Sequence, residues 1–237
     1  MTTIDVPEVE LVSLTLIPEH RETLGAAEEV RAQPDRVSIG RPVCVPLDAA
    51  TVDDDAKVFL GKNPGSAYFL VALAASFTPD DENPLVSAWV DVTMSTSEPL
   101  GAPEPVAWSM KPLSAADPVS ISRKVSFNGS LKLTAGPMDI GPAAGTEEVI
   151  SYARSAISME ALREGTSRPQ WRFYTTEIGQ IRGVHHLLLI AQTEVASKGI
   201  ADVSIGATVR LRRLKIFRYS AALEHLPDVA RLTFPPG

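Results

Sequence analysis

The chain has 237 residues, 44% of them hydrophobic and 22% charged, and a formal net charge of −7. This composition is typical of a globular protein with a sizeable core, and the negative balance argues against general nucleic-acid binding. The single cysteine, Cys44, excludes an internal disulfide, and the longest uncharged apolar run, residues 67–75, is far shorter than the roughly 20 residues of a membrane-spanning helix.

Short segments that alternate apolar and polar residues recur along the chain, which is the pattern of half-buried β-strands. In chain order they predict strands at residues 9–17, 36–45, 67–77, 86–94, 119–127, 131–134, 171–178, 184–192 and 202–217. Residues 22–32 predict a short helix, and residues 146–164 favour a helix over a strand by a small margin. The expected fold class is all-β, a mainly antiparallel β-sandwich or two packed β subdomains, with one or two short helices.

Three of these segments have further features. Residues 67–77 are apolar on both faces, which predicts a central strand covered on both sides. Asn128-Gly129 between two alternating runs predicts a hairpin turn. Within residues 202–217 the phase of the alternation reverses, which predicts a β-bulge at Arg212-Arg213.

Charge is divided unevenly along the chain. Residues 1–104 carry 18 Asp and Glu against 6 Lys and Arg, a net of −12, whereas residues 105–237 carry 11 against 16, a net of +5. The sign changes within residues 98–118, which contain five prolines. We therefore divide the chain into an acidic β-rich half, 1–97, a proline-rich connection, 98–118, and a basic β-rich half, 119–237, and the two halves can also be combined in one sandwich domain.

Basic side chains are concentrated along residues 210–218, near the end of the chain. They can protect a strand edge from aggregation, dock the acidic half of the same or a neighbouring molecule, or contact anionic lipid or nucleic acid. A tryptophan on the polar face of the 86–94 strand either packs under a loop or marks a contact surface. The candidate partner-binding residues are Arg210, Arg212, Arg213, Lys215 and Trp89.

The 171–178 strand carries alternating aromatic and polar side chains. Trp171 and Phe173 are expected to face the core, and Arg172 and Tyr174 to face outward. Arginine and tyrosine are frequent at binding hot spots, so the outer pair could also serve binding.

Two acidic loops, residues 53–55 and 80–82, flank the predicted central strand. Calcium prefers oxygen ligands gathered from several such loops, although consecutive aspartates also occur in solvated turns. The candidate calcium ligands are Asp53, Asp54, Asp55, Asp80, Asp81 and Glu82. No cofactor is predicted.

The sequence lacks the local motifs of the common enzyme classes, including the dinucleotide and P-loop glycine patterns, H-E-x-x-H and G-x-S-x-G. His185 and His186 are adjacent, and on a strand they point to opposite faces, so we expect one core-facing and one surface histidine. An enzyme would need a site assembled from distant residues, such as a hydrolase that uses His186 with Asp91 or Glu177.

We predict a non-enzymatic β-sandwich that acts as an interaction or structural subunit and self-associates or docks a protein partner through charge-complementary surfaces. One alternative is a membrane-active effector of the pore-forming β type, because residues 86–94 and 119–127 have the length of a transmembrane β-strand, about 9–11 residues. The other alternative is the hydrolase. The amino terminus lacks the basic and apolar regions of a signal peptide, so we expect a cytoplasmic protein without a transmembrane segment.

Overall fold

The computed structural model describes residues 3–5, 10–19, 32–114, 124–126, 129–133, 158–176, 179–211, 215–221 and 230–237. These residues form fourteen strands and one helix. In chain order the elements are β1 Thr3–Asp5, β2 Leu11–Pro18, β3 Gln33–Gly40, β4 Val43–Pro46, α1 Asp54–Lys62, β5 Ser66–Phe77, β6 Leu85–Glu98, β7 Val106–Lys111, β8 Lys124–Ser126, β9 Met159–Leu162, β10 Gln170–Tyr174, β11 Gly183–Glu194, β12 Lys198–Leu211, β13 Lys215–Ala221 and β14 Arg231–Phe234. The all-β, antiparallel fold class is confirmed.

Twelve of the strands belong to one antiparallel sheet in the order β7-β11-β5-β3-β2-β13-β12-β6-β10-β9, with β4 on β5 and β14 on β12. The two ends of this sheet approach each other. Ala107 on β7 donates its N–H to Thr166 O at 2.9 Å, and Ala161 on β9 donates to Leu113 O at 2.9 Å. The sheet of the described strands is therefore nearly closed.

The larger of two apolar clusters among the described residues lies inside the folded sheet. Phe77 on β5 contacts Phe173 on β10 with ring centroids 4.9 Å apart, and Phe69 contacts Phe234 on β14 at 5.4 Å. Trp171 and Phe173 are buried while Arg172 is exposed, so the predicted alternation of β10 is confirmed.

The predicted central strand is also confirmed, because β5 is buried on both faces. Phe69, Val71 and Leu73 face the large core, and the alternate residues Tyr68 and Leu70 belong to a second apolar cluster outside the sheet. Helix α1 covers that second cluster with its buried Ala56 and the half-buried Phe59 and Leu60.

The structure corrects the predicted β-bulge. β12 and β13 are antiparallel neighbours, with Gly206 opposite Ser220 and Leu211 opposite Lys215. The reversal of the alternation after Leu211 therefore reflects two strands that run in opposite directions, not one continuous strand. Arg212 and Arg213 themselves lie outside the described residues.

Other element predictions differ from the structure in detail. Residues 54–62 form a helix that Asp53 caps, although residues 53–55 were expected to form a loop. The proline-rich connection contains β7, and the described end of the 146–164 segment is β9 instead of a helix. β8 pairs with β1, and most of the predicted 119–134 hairpin, like the predicted 22–32 helix up to residue 31, lies outside the described residues.

Among the described residues, no helix has both the length and the apolar character needed to cross a membrane.

Candidate functional site

The candidate site lies on the outer face of β10, β6 and β12. Ala88, Val90 and Val92 of β6 point into the core, so the intervening Trp89 and Asp91 point outward. Antiparallel register extends this face on both sides: Trp89 is opposite Arg172 of β10 and Gly206 of β12, and Asp91 is opposite Gln170 and Ser204.

A pocket of about 380 Å³ opens on this face around Asp91. Four arginines line it, supplied by β10, by β13 and by the loop that joins β9 to β10. All four are exposed in part, so their guanidinium groups are accessible from solvent. Among the described residues, the lining consists of Asp91, Val92, Thr93, Arg163, Arg168, Gln170, Arg172, Ser204 and Arg218.

The β9–β10 loop, residues 163–169, is held against the sheet by backbone hydrogen bonds. Met94 donates its N–H to Ser167 O at 2.8 Å, Val92 donates to Pro169 O at 3.0 Å, and Gly165 donates to Ala107 O at 2.8 Å. These bonds fix the loop backbone that carries Arg163 and Arg168 beside the pocket. The two loop arginines are thus placed by pairing with β6 and β7.

Asp91 is among the residues that line the pocket and is held by Gln170, whose Nε2 donates to its carboxyl group. Gln170 is only 6% exposed, and its Oε1 is buried without a hydrogen-bond partner among the described residues. Burial raises the pKa of Asp91 above its ordinary value, although the Gln170 hydrogen bond and the nearby arginines act in the opposite direction.

Trp89 lies next to the pocket, beneath the side chain of Arg218. Its ring lies over Gly206 of β12, and the Arg218 guanidinium lies over the ring with its carbon 4.5 Å from the centroid, a cation–π arrangement. Arg218 also forms an ion pair with Glu19 at 3.1 Å. Trp89, predicted as a partner contact, is 8% exposed, and its ring contacts the guanidinium of the pocket residue Arg218.

The chemistry of the lining suits anion binding. Guanidinium groups present planar, paired N–H donors that match the oxygens of phosphate and carboxylate groups. Ser204 and Thr93 supply hydroxyl groups, and no histidine or cysteine is among the residues that line the pocket. The described lining therefore contains cationic donors but no nucleophile with an adjacent histidine base.

The structure places the described basic residues of the 210–218 segment on two neighbouring strands, β12 and β13. Arg210 is exposed on β12, on the same face as Ser204 and Gly206, and Lys215 begins β13. Arg212 and Arg213 lie outside the described residues. Sequence reasoning missed the loop arginines Arg163 and Arg168, because only the sheet pairing brings them beside Asp91. Arg172 was signalled by its outward position in the alternating β10 sequence.

The acidic loops use several of their carboxylates locally. Asp53 accepts from Ala56 N at 3.0 Å as the α1 cap, and Asp54 accepts from Lys57 at 2.9 Å. Asp80 accepts from Glu82 N at 2.9 Å and from Arg36 at 3.3 Å. Among the described residues, no group of three or more His, Cys, Asp or Glu side chains is arranged to hold a metal ion.

The two histidines face opposite sides of β11, as predicted. His185 contacts Phe173 and Phe77 with ring centroids 4.7 and 5.7 Å apart, while His186 is exposed. His186 lies opposite Ala74 of β5 and is not among the residues that line the pocket around Asp91. The structure therefore does not bring the proposed His186–Asp91 pair together, and Glu177 lies outside the described residues.

No family model matches the chain, and no curated protein sequence matches it. Among solved structures, it is similar to the Clostridium perfringens NetB toxin in the membrane-inserted form, with 8% identity, a TM-score of 0.38, and coverage of 95% of this chain and 94% of the toxin. It is also similar to a structure described as a pore-forming protein, with 8% identity, a TM-score of 0.32, and coverage of 98% and 94%. At this level of similarity, neither protein's activity transfers to this chain.

Proposed function

We propose that this chain is a non-enzymatic binding protein that recognises a phosphate-type oxyanion in the pocket around Asp91. One observation carries the proposal: four arginines from β10, β13 and the β9–β10 loop converge on a single 380 Å³ pocket. Like charges brought together in this way repel each other, and a bound anion offsets that repulsion.

A phosphate group suits the pocket better than a single carboxylate does. Its several oxygens can accept from more than one guanidinium fork, whereas a carboxylate offers two oxygens. The hydroxyl groups of Ser204 and Thr93 add donors on the β6–β12 side of the pocket. The arrangement supports binding through charge-assisted hydrogen bonds, each of which contributes about 1.5–3 kcal/mol.

Isothermal titration calorimetry with inorganic phosphate at low ionic strength tests the proposal. Replacing Arg168 and Arg172 together by Gln removes two pocket cations from exposed positions. We expect a loss of affinity of at least about tenfold, since 1.4 kcal/mol corresponds to a factor of ten. Arg182→Gln is the matched control, because Arg182 is exposed and does not line the pocket. Equal affinity in the native chain and the double variant would contradict the proposal.

Membrane activity is the second candidate, favoured by the position of the arginines. Arg163, Arg168 and Arg172 are exposed near one pocket, and Arg210 is exposed on the same face of β12, so phosphates fixed in a lipid surface could meet several of them together. Vesicles of phosphatidylcholine, with and without phosphatidylserine, separate the candidates. Sedimentation with anionic vesicles and release of an enclosed dye support membrane activity, whereas binding of free phosphate without either supports a soluble ligand.

A further inference from the structure

We propose that the protonation state of Asp91 controls anion binding in the pocket around it. The neutral carboxyl group allows the anion to bind, and the ionised carboxylate opposes it. This inference rests on the proposed function, because it concerns the regulation of the same site. The inference has three requirements. Asp91 must line the pocket, and the neighbouring side chains must be able to hydrogen-bond its protonated carboxyl group. A bound anion must also favour the protonated form over the ionised form.

Asp91 is the acidic residue among those that line the pocket. In its ionised form it cancels one of the positive charges around the pocket and repels an incoming anion at short range. Among the described residues, the carboxyl group accepts a hydrogen bond from Gln170, and no arginine forms an ion pair with it. Arg218 forms its ion pair with Glu19 instead, so the Asp91 charge remains to oppose an anion that approaches the pocket arginines.

The groups that face Asp91 from the surrounding elements are polar or cationic. β10 supplies Gln170 and Arg172, β12 supplies Ser204, and β13 supplies Arg218. The β9–β10 loop supplies Arg163 and Arg168, and β6 itself supplies Thr93.

Three further acids lie near Asp91 or its neighbouring arginines, and each has partners of its own. Glu19, which follows β2, pairs with Arg218 at 3.1 Å and accepts from the Ser220 hydroxyl. Glu160 of β9, opposite Arg172, accepts from the hydroxyl of Tyr174. Asp202 of β12, opposite Thr93, is bound by Arg231 at 2.6 Å. None of these three acids is among the residues that line the pocket, so Asp91 is the carboxyl group positioned to control it.

The neighbouring amide is suited to the neutral carboxyl group. An amide and a protonated carboxyl group can form a two-bond ring, in which the amide N–H donates to one carboxyl oxygen and the carboxyl O–H donates to the amide oxygen. The first of these bonds is present, from Gln170 Nε2 to Asp91 Oδ1. Gln170 Oε1 is buried and lacks a donor among the described residues, and protonation of Asp91 supplies one beside it.

Burial acts in the same direction, since it raises the pKa of Asp91. A bound dianion adds negative charge beside the carboxyl group and raises that pKa further, so binding takes up a proton. By linkage, lowering the pH strengthens binding of the anion by the same coupling free energy.

Sulfate is the appropriate probe, because it remains a dianion over the pH range in which phosphate changes its own charge. We expect the native chain to bind sulfate at least about tenfold more tightly at pH 4.5 than at pH 7.5, which corresponds to one pKa unit of coupling. Asp91→Asn keeps a hydrogen-bonding amide in place and should bind sulfate with one affinity at both pH values. Asp202→Asn is the matched control and should retain the pH dependence of the native chain.

Calorimetry of the native chain in two buffers of different ionisation enthalpy gives a second readout that needs no variant. We expect net proton uptake on sulfate binding, and none for Asp91→Asn. If native binding is independent of pH, or if the pH dependence survives in Asp91→Asn, the proposed control by Asp91 is wrong. Neither result would contradict the proposal that the pocket binds an anion. Failure of both the native chain and Asp91→Asn to bind sulfate at either pH would instead reject the proposed function.

Discussion

Gly206 of β12 lies directly opposite Trp89 of β6, and a Cβ atom at position 206 would be 2.3 Å from Trp89 Cζ2. The same Cβ would be 2.6 Å from the backbone oxygen of Tyr219 on β13. The absence of a side chain at Gly206 therefore lets the indole lie flat on the sheet, where it supports Arg218 from below.

Gly206→Ala should destabilise the fold by about 1–3 kcal/mol, because a methyl group added to a filled space forces the indole away and meets a backbone atom that cannot move aside. Denaturant unfolding measures the free energy, and near-ultraviolet circular dichroism reports the displaced indole. Gly65→Ala is the control, since nothing lies within 4 Å of its added Cβ. Equal unfolding midpoints for the two variants would show that Trp89 has room to shift.

The sequence predicted the strands well where burial alone decides the pattern. Residues 67–77 are apolar on both faces because β5 has the large core on one side and α1 on the other. The alternation of β10 likewise identified Trp171 and Phe173 as core residues. Local apolar periodicity depends on which face of a strand is covered, and that information is present in the residues themselves.

The candidate site could be predicted only in part, because it depends on pairing between distant segments. Asp91 and Gln170 are 79 positions apart and meet only because β6 and β10 are neighbours in register. The strand order also explains the misplaced bulge, since the phase change after Leu211 has the same appearance in a bulged strand as in two strands joined by a reversal. Periodicity does not specify which strands are adjacent.

Arg36, on β3, should contribute strongly to the free energy of unfolding, because it joins β3 to the loop that follows β5. The side chain is 7% exposed and donates to Thr78 O at 3.1 Å, to Asn83 O at 3.0 Å and to Asp80 at 3.3 Å. Arg36→Met should cost about 3 kcal/mol, because buried acceptors and one carboxylate lose their donor. Urea unfolding of this variant, compared with the exposed-site control Arg182→Met, checks the prediction, and a loss below about 1 kcal/mol would contradict it.

Self-association through the face of β12 that carries Arg210 should be steered by charge and weakened by salt. Arg210 is exposed on β12, whereas acidic side chains such as Asp54 and Asp55 are exposed on α1. Screening lengths fall from about 10 Å at 0.1 M to about 3 Å at 1 M ionic strength, so an assembly held by such charges should dissociate at high salt.

Light scattering at both salt concentrations measures this mass. Arg210→Glu should shift the low-salt equilibrium toward the monomer, because it places a like charge against the acidic surface, and Arg182→Glu serves as the charge-matched control. A chain that is monomeric at every salt concentration would reject assembly, and an assembly that Arg210→Glu leaves intact would remove this arginine from the contact.

His185 should make the stability of the fold depend on pH near neutrality. The ring is enclosed by Phe77 and Phe173, and burial lowers its pKa below the ordinary value of 6.5. Between that lowered pKa and 6.5 the unfolded chain binds more protons than the folded chain. The free energy of unfolding is therefore highest above about pH 7, falls as the pH drops through 6.5 and levels off below the folded-state pKa.

His185→Gln should flatten this part of the profile, and His186→Gln, at the exposed neighbouring position, should not. Denaturant midpoints at pH 7.5, 6.5 and 5.5 decide the matter: parallel profiles for the native chain and His185→Gln would assign the pH dependence to other groups.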